Sequence, residues 1–152
     1  MASFAQTPAI TATDILLLTG KWKGSLTYLD YTSKKSFTMP AAVTIGHLPK
    51  TNALVFSNNY PNEPKANDID TVTVSKNGRM VDQEKVRKRT VLPNGNIEIV
   101  TEYTGTDGND NQPSLIRHTY TLGKRVFKKS KEVQFKGQSI WIQRHEYSYT
   151  KE

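Results

Sequence analysis

The sequence predicts an all-β protein, a closed antiparallel up-and-down β-barrel of about eight to ten strands with a short N-terminal helix. Three observations carry this. The β-formers Val, Ile, Thr, Tyr and Phe are spread along the whole chain after Gly20, as strands require. Turn-forming residues punctuate them at short intervals, with Asn-Gly at Asn77-Gly78 and Asn94-Gly95. Strands joined by such short turns must run antiparallel. No long amphipathic segment is available to cover a sheet, so the strands must close on themselves or split into two sheets. Closure removes the edge-strand hazard.

The strands are expected near 21–30, 35–46, 53–59, 69–75, 79–84, 85–92, 96–105, 114–122, 125–135 and 139–150. Both Asn-Gly pairs accept the positive φ of a type I′ hairpin turn. Asp30-Tyr31-Thr32-Ser33 and Phe135-Lys136-Gly137-Gln138 mark two further turns, and 106–113 reads as a longer polar loop. Before the barrel, Ile15, Leu16, Leu17 and Leu18 supply the apolar side of a short helix. Thr13 or Asp14 is expected to cap it and Gly20 to stop it. Too short to stand alone, the helix must pack on one end of the barrel. The expected organisation is a flexible segment over 1–12 and one barrel domain over 13–152. A chain of 152 residues suffices for a core without disulfides or metal.

The first and last strands of a closed barrel are neighbours. The first opens with Gly20-Lys21-Trp22, and the last contains Arg144. A guanidinium from the last strand laid over the indole would make a cation–π stack. The set of short helix, Gly20-x-Trp22 and late Arg144 resembles the lipocalin and wider calycin families. The resemblance implies a ligand-holding barrel in which Gly20, Trp22 and Arg144 are structural. Its function would be non-catalytic carriage of a small hydrophobic or amphipathic molecule. The expected strand count exceeds the eight of lipocalins and fits the fatty-acid-binding or nitrobindin-like branches better. The Arg-x-Tyr carboxylate pair of fatty-acid-binding barrels does not carry over, because Arg144 and Tyr147 are three apart.

Alternation indicates what points inward. Trp22, Gly24, Leu26 and Tyr28 share a face; so do Leu54, Phe56, Asn58 and Tyr60; Ile97, Ile99, Thr101 and Tyr103; and Ile116, His118, Tyr120 and Leu122. Such faces suit a ligand with an apolar body and a few fixed polar contacts. The candidate ligand contacts are Tyr28, Phe56, Asn58, Tyr103, His118 and Tyr120. The competing reading is a filled interior with tyrosine hydroxyls at the rim. A nitrobindin-like barrel would use a late histidine as axial haem ligand, with His145 first and His118 second. Otherwise no cofactor is expected.

Other chemistries lack their residues. With no cysteine there is no disulfide framework, thiolate metal site or cysteine nucleophile. No two of His47, His118 and His145 have metal-site spacing. The run Asp107-Gly108-Asn109-Asp110-Asn111 begins like a calcium loop but has Gln112 where glycine belongs and His118 where the bidentate acid belongs. Phosphate-binding, dinucleotide-binding and nucleophile-elbow motifs are absent. Ser3-Phe4-Ala5-Gln6 has the small-x-small pattern of a cleavage site, which fits an exported bacterial protein, periplasmic or secreted, and equally an ordinary chain start.

The net charge of +7 favours anions in general. Cations concentrate in 76–91 and 124–136, where a basic barrel wall could bind polyanions. A nucleic-acid partner is not expected, since stacking aromatics are not interleaved with those charges. A solvated outer wall is the simpler reading.

Overall fold

The computed structural model describes residues 7–152; the Ser3–Gln6 pattern therefore lies outside the described residues, as does half of the 1–12 segment. After helix α1 (Ala12–Leu18) come ten strands: β1 (Gly20–Asp30), β2 (Lys35–His47), β3 (Ala53–Asn59), β4 (Asp68–Thr73), β5 (Met80–Val81), β6 (Glu84–Val91), β7 (Ile97–Asp107), β8 (Gln112–Leu122), β9 (Val126–Phe135) and β10 (Ile142–Lys151). They form one antiparallel sheet in the order β4-β3-β2-β1-β10-β9-β8-β7-β6-β5. The chain ends meet in the middle of that order, with Trp22 opposite Lys151 and Tyr28 opposite His145.

The two outermost strands, β4 and β5, nearly close the cylinder. They meet through the Val74–Val81 bridge, with Ser75 N–H donating to Met80 O at 2.9 Å and Asp82 N–H to Thr73 O at 2.7 Å. Among the described residues, the outer edge of β4 before Thr73 has no strand partner, leaving a seam there.

The core includes the inner faces read by alternation, with Trp22, Leu54, Ile99 and Ile116 fully buried, and adds Phe127 and Val133 of β9. Gly24 permits a close approach of β1 and β10: a Cβ there would run into the Ser148 carbonyl oxygen. Gly20 has φ +125°, and a Cβ on it would meet Lys151 Nζ at 2.6 Å.

Several local expectations are corrected. The helix begins earlier than expected: Thr11 is its N-cap, and Asp14 is the third helical residue. The Thr11 hydroxyl accepts from Asp14 N–H at 3.2 Å and Asp14 Oδ2 accepts from Thr11 N–H at 3.0 Å, a capping box. Thr19, rather than Gly20, is the C-cap. Ile10 is also fixed, its N–H donating to Gly78 O at 2.8 Å.

At both Asn-Gly turns only the glycine takes positive φ, 74° at Gly78 and 86° at Gly95. The glycine N–H bonds back three residues, to Ser75 O and to Leu92 O. These are type I turns followed by a left-handed glycine, not type I′ turns. The strand expected over 79–84 is two residues long, because Asp82 adopts φ 52° and turns the chain. The loop expected over 106–113 is half strand, with a four-residue turn between Asp107 and Gln112.

Candidate functional site

The barrel interior has two unlike ends. At one end, α1 lies over a cavity of about 130 Å³. Ile10, Ile15 and Leu18 roof it; Val43, Leu54, Val72, Ile99 and Phe127 form its apolar wall; Asn58, Asp70, Tyr120, Lys129, Tyr147 and Tyr149 supply polar atoms. Asp70 is exposed and Asn58 half-buried. The cavity therefore reaches solvent beside the β4 seam.

The helix is latched by a buried charge. Arg89 donates from Nε to Asp14 Oδ2 at 2.8 Å and from an η nitrogen to Asp14 Oδ1 at 2.9 Å. Burial works to raise the Asp14 pKa, but the Arg89 and Thr11 hydrogen bonds and the Arg89 charge outweigh it and hold the carboxyl below its usual range. Asp14 is 1% exposed and would be costly to bury without this fork.

The opposite end is polar. Asp107 accepts from the Tyr31 hydroxyl at 2.6 Å and from Lys131 Nζ at 3.0 Å, with Arg144 Nε at 3.9 Å. Between the ends lies an aromatic and imidazole layer. The ring of His118 is 6.1 Å from Tyr103, 6.3 Å from Tyr120 and 6.5 Å from His145; the His145 ring is 5.4 Å from Tyr147. His118 Nδ1 lies 2.6 Å from Glu84 Oε1, and the Thr101 hydroxyl donates to the same oxygen at 2.9 Å.

Burial lowers the His118 pKa against the raising pull of Glu84. Burial also works to raise Glu84, but the His118 hydrogen bond outweighs it and keeps Glu84 low. At neutral pH the pair is a neutral imidazole donating to a carboxylate. Burial, reinforced by the Lys129 charge, pulls His145 down to about 3, so it too is neutral.

The expected ligand contacts divide between these regions. Phe56, Asn58 and Tyr120 line the cavity. Tyr103 and His118 belong to the imidazole layer. Tyr28 packs against Phe37 toward the polar end, with ring centroids 5.8 Å apart. His145 points inward but is not on the cavity wall.

The expected Trp22–Arg144 stack is replaced. Lys151 holds its Nζ 4.7 Å from the Trp22 ring centroid and donates to the Thr19 carbonyl. Trp22 Nε1–H donates to Leu18 O at 2.8 Å, tying the helix end to the barrel. Arg144 instead lies 4.5 Å over the Tyr31 ring. The register is the reason: Trp22 is opposite Lys151, whereas Arg144 sits opposite the far end of β1, about 20 Å along the strand. A bulge between Gln143 and His145 also breaks the alternation of β10, freeing Arg144 to reach Asp107.

Lys129 and Lys131 were not among the expected inner residues, and neither were Glu84, Asp107 or Tyr147. The signal was present on β9: Phe127, Lys129, Lys131 and Val133 share one parity, and Phe127 and Val133 are core. The basic stretches accordingly lose cations to the interior, Arg89 to Asp14 and Lys131 to Asp107. On the outer wall Glu102 lies between Arg87 at 3.6 Å and Arg117 at 3.4 Å, so that wall is partly neutralised.

The class this geometry defines is a nearly closed, ten-stranded antiparallel barrel with a helix over one end and a mixed interior. The chain is similar in fold to the crystal structure of Rv2717c from M. tuberculosis, with a TM-score of 0.53 and 14% identity over 90% of this chain and 93% of that one. At that identity the likeness is one of fold alone. No protein-family model matches the chain, and no curated protein matches it either. No helix among the described residues is long and apolar enough to cross a membrane.

Proposed function

We propose that this is a calycin-type barrel whose work is non-catalytic binding of one small apolar or amphipathic molecule beneath α1. The observation that carries the reading is the cavity: an apolar wall with a few polar groups, reachable at the β4 seam. Its volume of about 130 Å³ compares with the 150 Å³ engineered cavity that binds benzene. The ligand is therefore of benzene size rather than a long lipid. Apolar burial supplies the affinity.

The cavity favours a small molecule over haem. Cofactor sites run to about 300 Å³ and more, the cavity is smaller, and His145 is not on its wall.

Titration of isotope-labelled protein with toluene and benzyl alcohol tests the reading. Saturable shifts confined to Leu54, Phe56, Ile99 and Phe127 are expected. They should be abolished in Val72→Phe, which fills the cavity. Absence of saturable binding by either probe would overturn the carrier function.

A further inference from the structure

Charged groups inside the barrel come with partners, and one does not. Asp14 is held by Arg89, Glu84 by His118 and Thr101, and Asp107 by Tyr31 and Lys131. Asp70 lies 3.5 Å from Asn58 Nδ2. Lys129 is the exception. Among the described residues its Nζ makes no hydrogen bond, and no carboxylate oxygen lies within 4.0 Å of it. It lies over the Tyr120 ring, 5.5 Å from the ring centroid.

The placement of this amine is specific. It sits on the cavity wall, opposite Tyr120 on β8 and Tyr147 on β10. The hydroxyls of Tyr120 and Tyr149, on the same wall, also make no hydrogen bond among the described residues. An ammonium and two phenolic donors thus border a space whose wall is mostly apolar and also includes Asn58, Asp70 and Tyr147. Unpartnered interior cations are costly, and a lysine cation with neighbouring hydroxyl donors is the complement of a small anion. Apolar surroundings with one cationic contact suit a ligand with one anionic group on an apolar body.

We propose that Lys129 is the headgroup anchor of the cavity and selects benzene-sized ligands bearing a single carboxylate, with Tyr120 and Tyr149 as supporting donors. This rests on the cavity being a ligand site and adds the chemical class of the ligand. Burial pulls the Lys129 pKa below its usual value and outweighs the raising pull of Glu84, Asp70 and Asp82, which act from a distance. A bound carboxylate would supply the close countercharge the fold omits.

The test compares benzoate, benzyl alcohol and benzylamine by calorimetry on the wild-type chain, Lys129→Met and Lys129→Gln. Benzoate should bind wild type at least tenfold more tightly than benzyl alcohol, and benzylamine most weakly. Both variants should lose the benzoate advantage while still binding benzyl alcohol. Equal binding of benzoate and benzyl alcohol by wild type would overturn the anchor and leave the cavity reading standing. So would undiminished benzoate binding by the two variants. If no probe binds any form, the cavity reading falls and the anchor with it.

Discussion

The two ends of this barrel are stabilised by different physics. At the helix end, Trp22, Leu54, Ile99 and Phe127 are buried and Asp14, the one buried acid among the described residues, is matched by a bidentate guanidinium. Toward the other end, His118, His145, Lys131, Asp107 and Arg144 are held by hydrogen bonds, charge and aromatic faces. Apolar packing is insensitive to pH, whereas a group buried in one protonation state is not. The same strands supply both ends, so the difference comes from which residues occupy the inner parity along each strand. A chain of this kind can carry a small apolar site at one end without requiring the whole interior to be empty.

Breaking the latch at the helix end should have the largest effect. Asp14→Ala removes the partner of Arg89 and half of the capping box. The expected loss is about 3 kcal/mol, toward the low end for a broken buried pair, because Arg89 is a quarter exposed and can turn to water. Equilibrium denaturation at pH 7 measures it. The Asp14 pKa is depressed below 3.8, so the contribution is fully present above that value and is lost as pH falls through the folded pKa. A loss under 1 kcal/mol at neutral pH would mean that the helix is held by apolar contacts alone.

Sequence alternation made the helix end legible because apolar residues there advertise their parity. Trp22, Leu54, Phe56, Ile99 and Leu122 fall on the inner face as expected, and Phe56, Asn58 and Tyr120 reach the cavity. The polar end was largely illegible. A lysine on a strand reads as solvent-facing, so sequence alone assigns Lys129 and Lys131 to the outer wall although Phe127 and Val133 fix their parity. The partner of Trp22 was missed for another reason. Arg144 and Lys151 are both on the last strand, and only the register, Trp22 opposite Lys151, chooses between them. Local pattern does not fix the stagger of a closed barrel.

The polar end should respond to acid before the helix end does. A buried neutral histidine has a depressed folded pKa, so its stabilisation is complete above the unfolded value of 6.5 and declines as pH falls toward the folded value, about 3 for His145. Between pH 6.5 and pH 5 this one residue should account for about 2 kcal/mol. His118 adds a decline of the same sign. Asp14, Glu84 and Asp107 have lowered pKa values and act only at lower pH. Denaturant midpoints at the two pH values should therefore fall for wild type and fall less for His145→Gln. Identical pH profiles would show that His145 is hydrated in the folded state.

The smallest effect sharpens the comparison most, because it asks whether the cation over Trp22 is the one the register supplies. A cation–π contact at a partly covered site is worth about 1 kcal/mol. Lys151 also donates to the Thr19 carbonyl, so its removal affects both the indole and the end of α1. A double-mutant cycle between Trp22→Phe and Lys151→Met should give a coupling of about 1 kcal/mol, with Phe keeping the site filled. The matching cycle between Trp22→Phe and Arg144→Met should be additive within about 0.5 kcal/mol, because Arg144 stacks on Tyr31 at the other end. The reverse pattern would place Arg144 over the indole and would require β10 to slide along β1 from its present pairing. Such a slide would carry His145 and Tyr147 away from His118 and Lys129, so the weakest of these interactions reports on the register that assembles the whole interior.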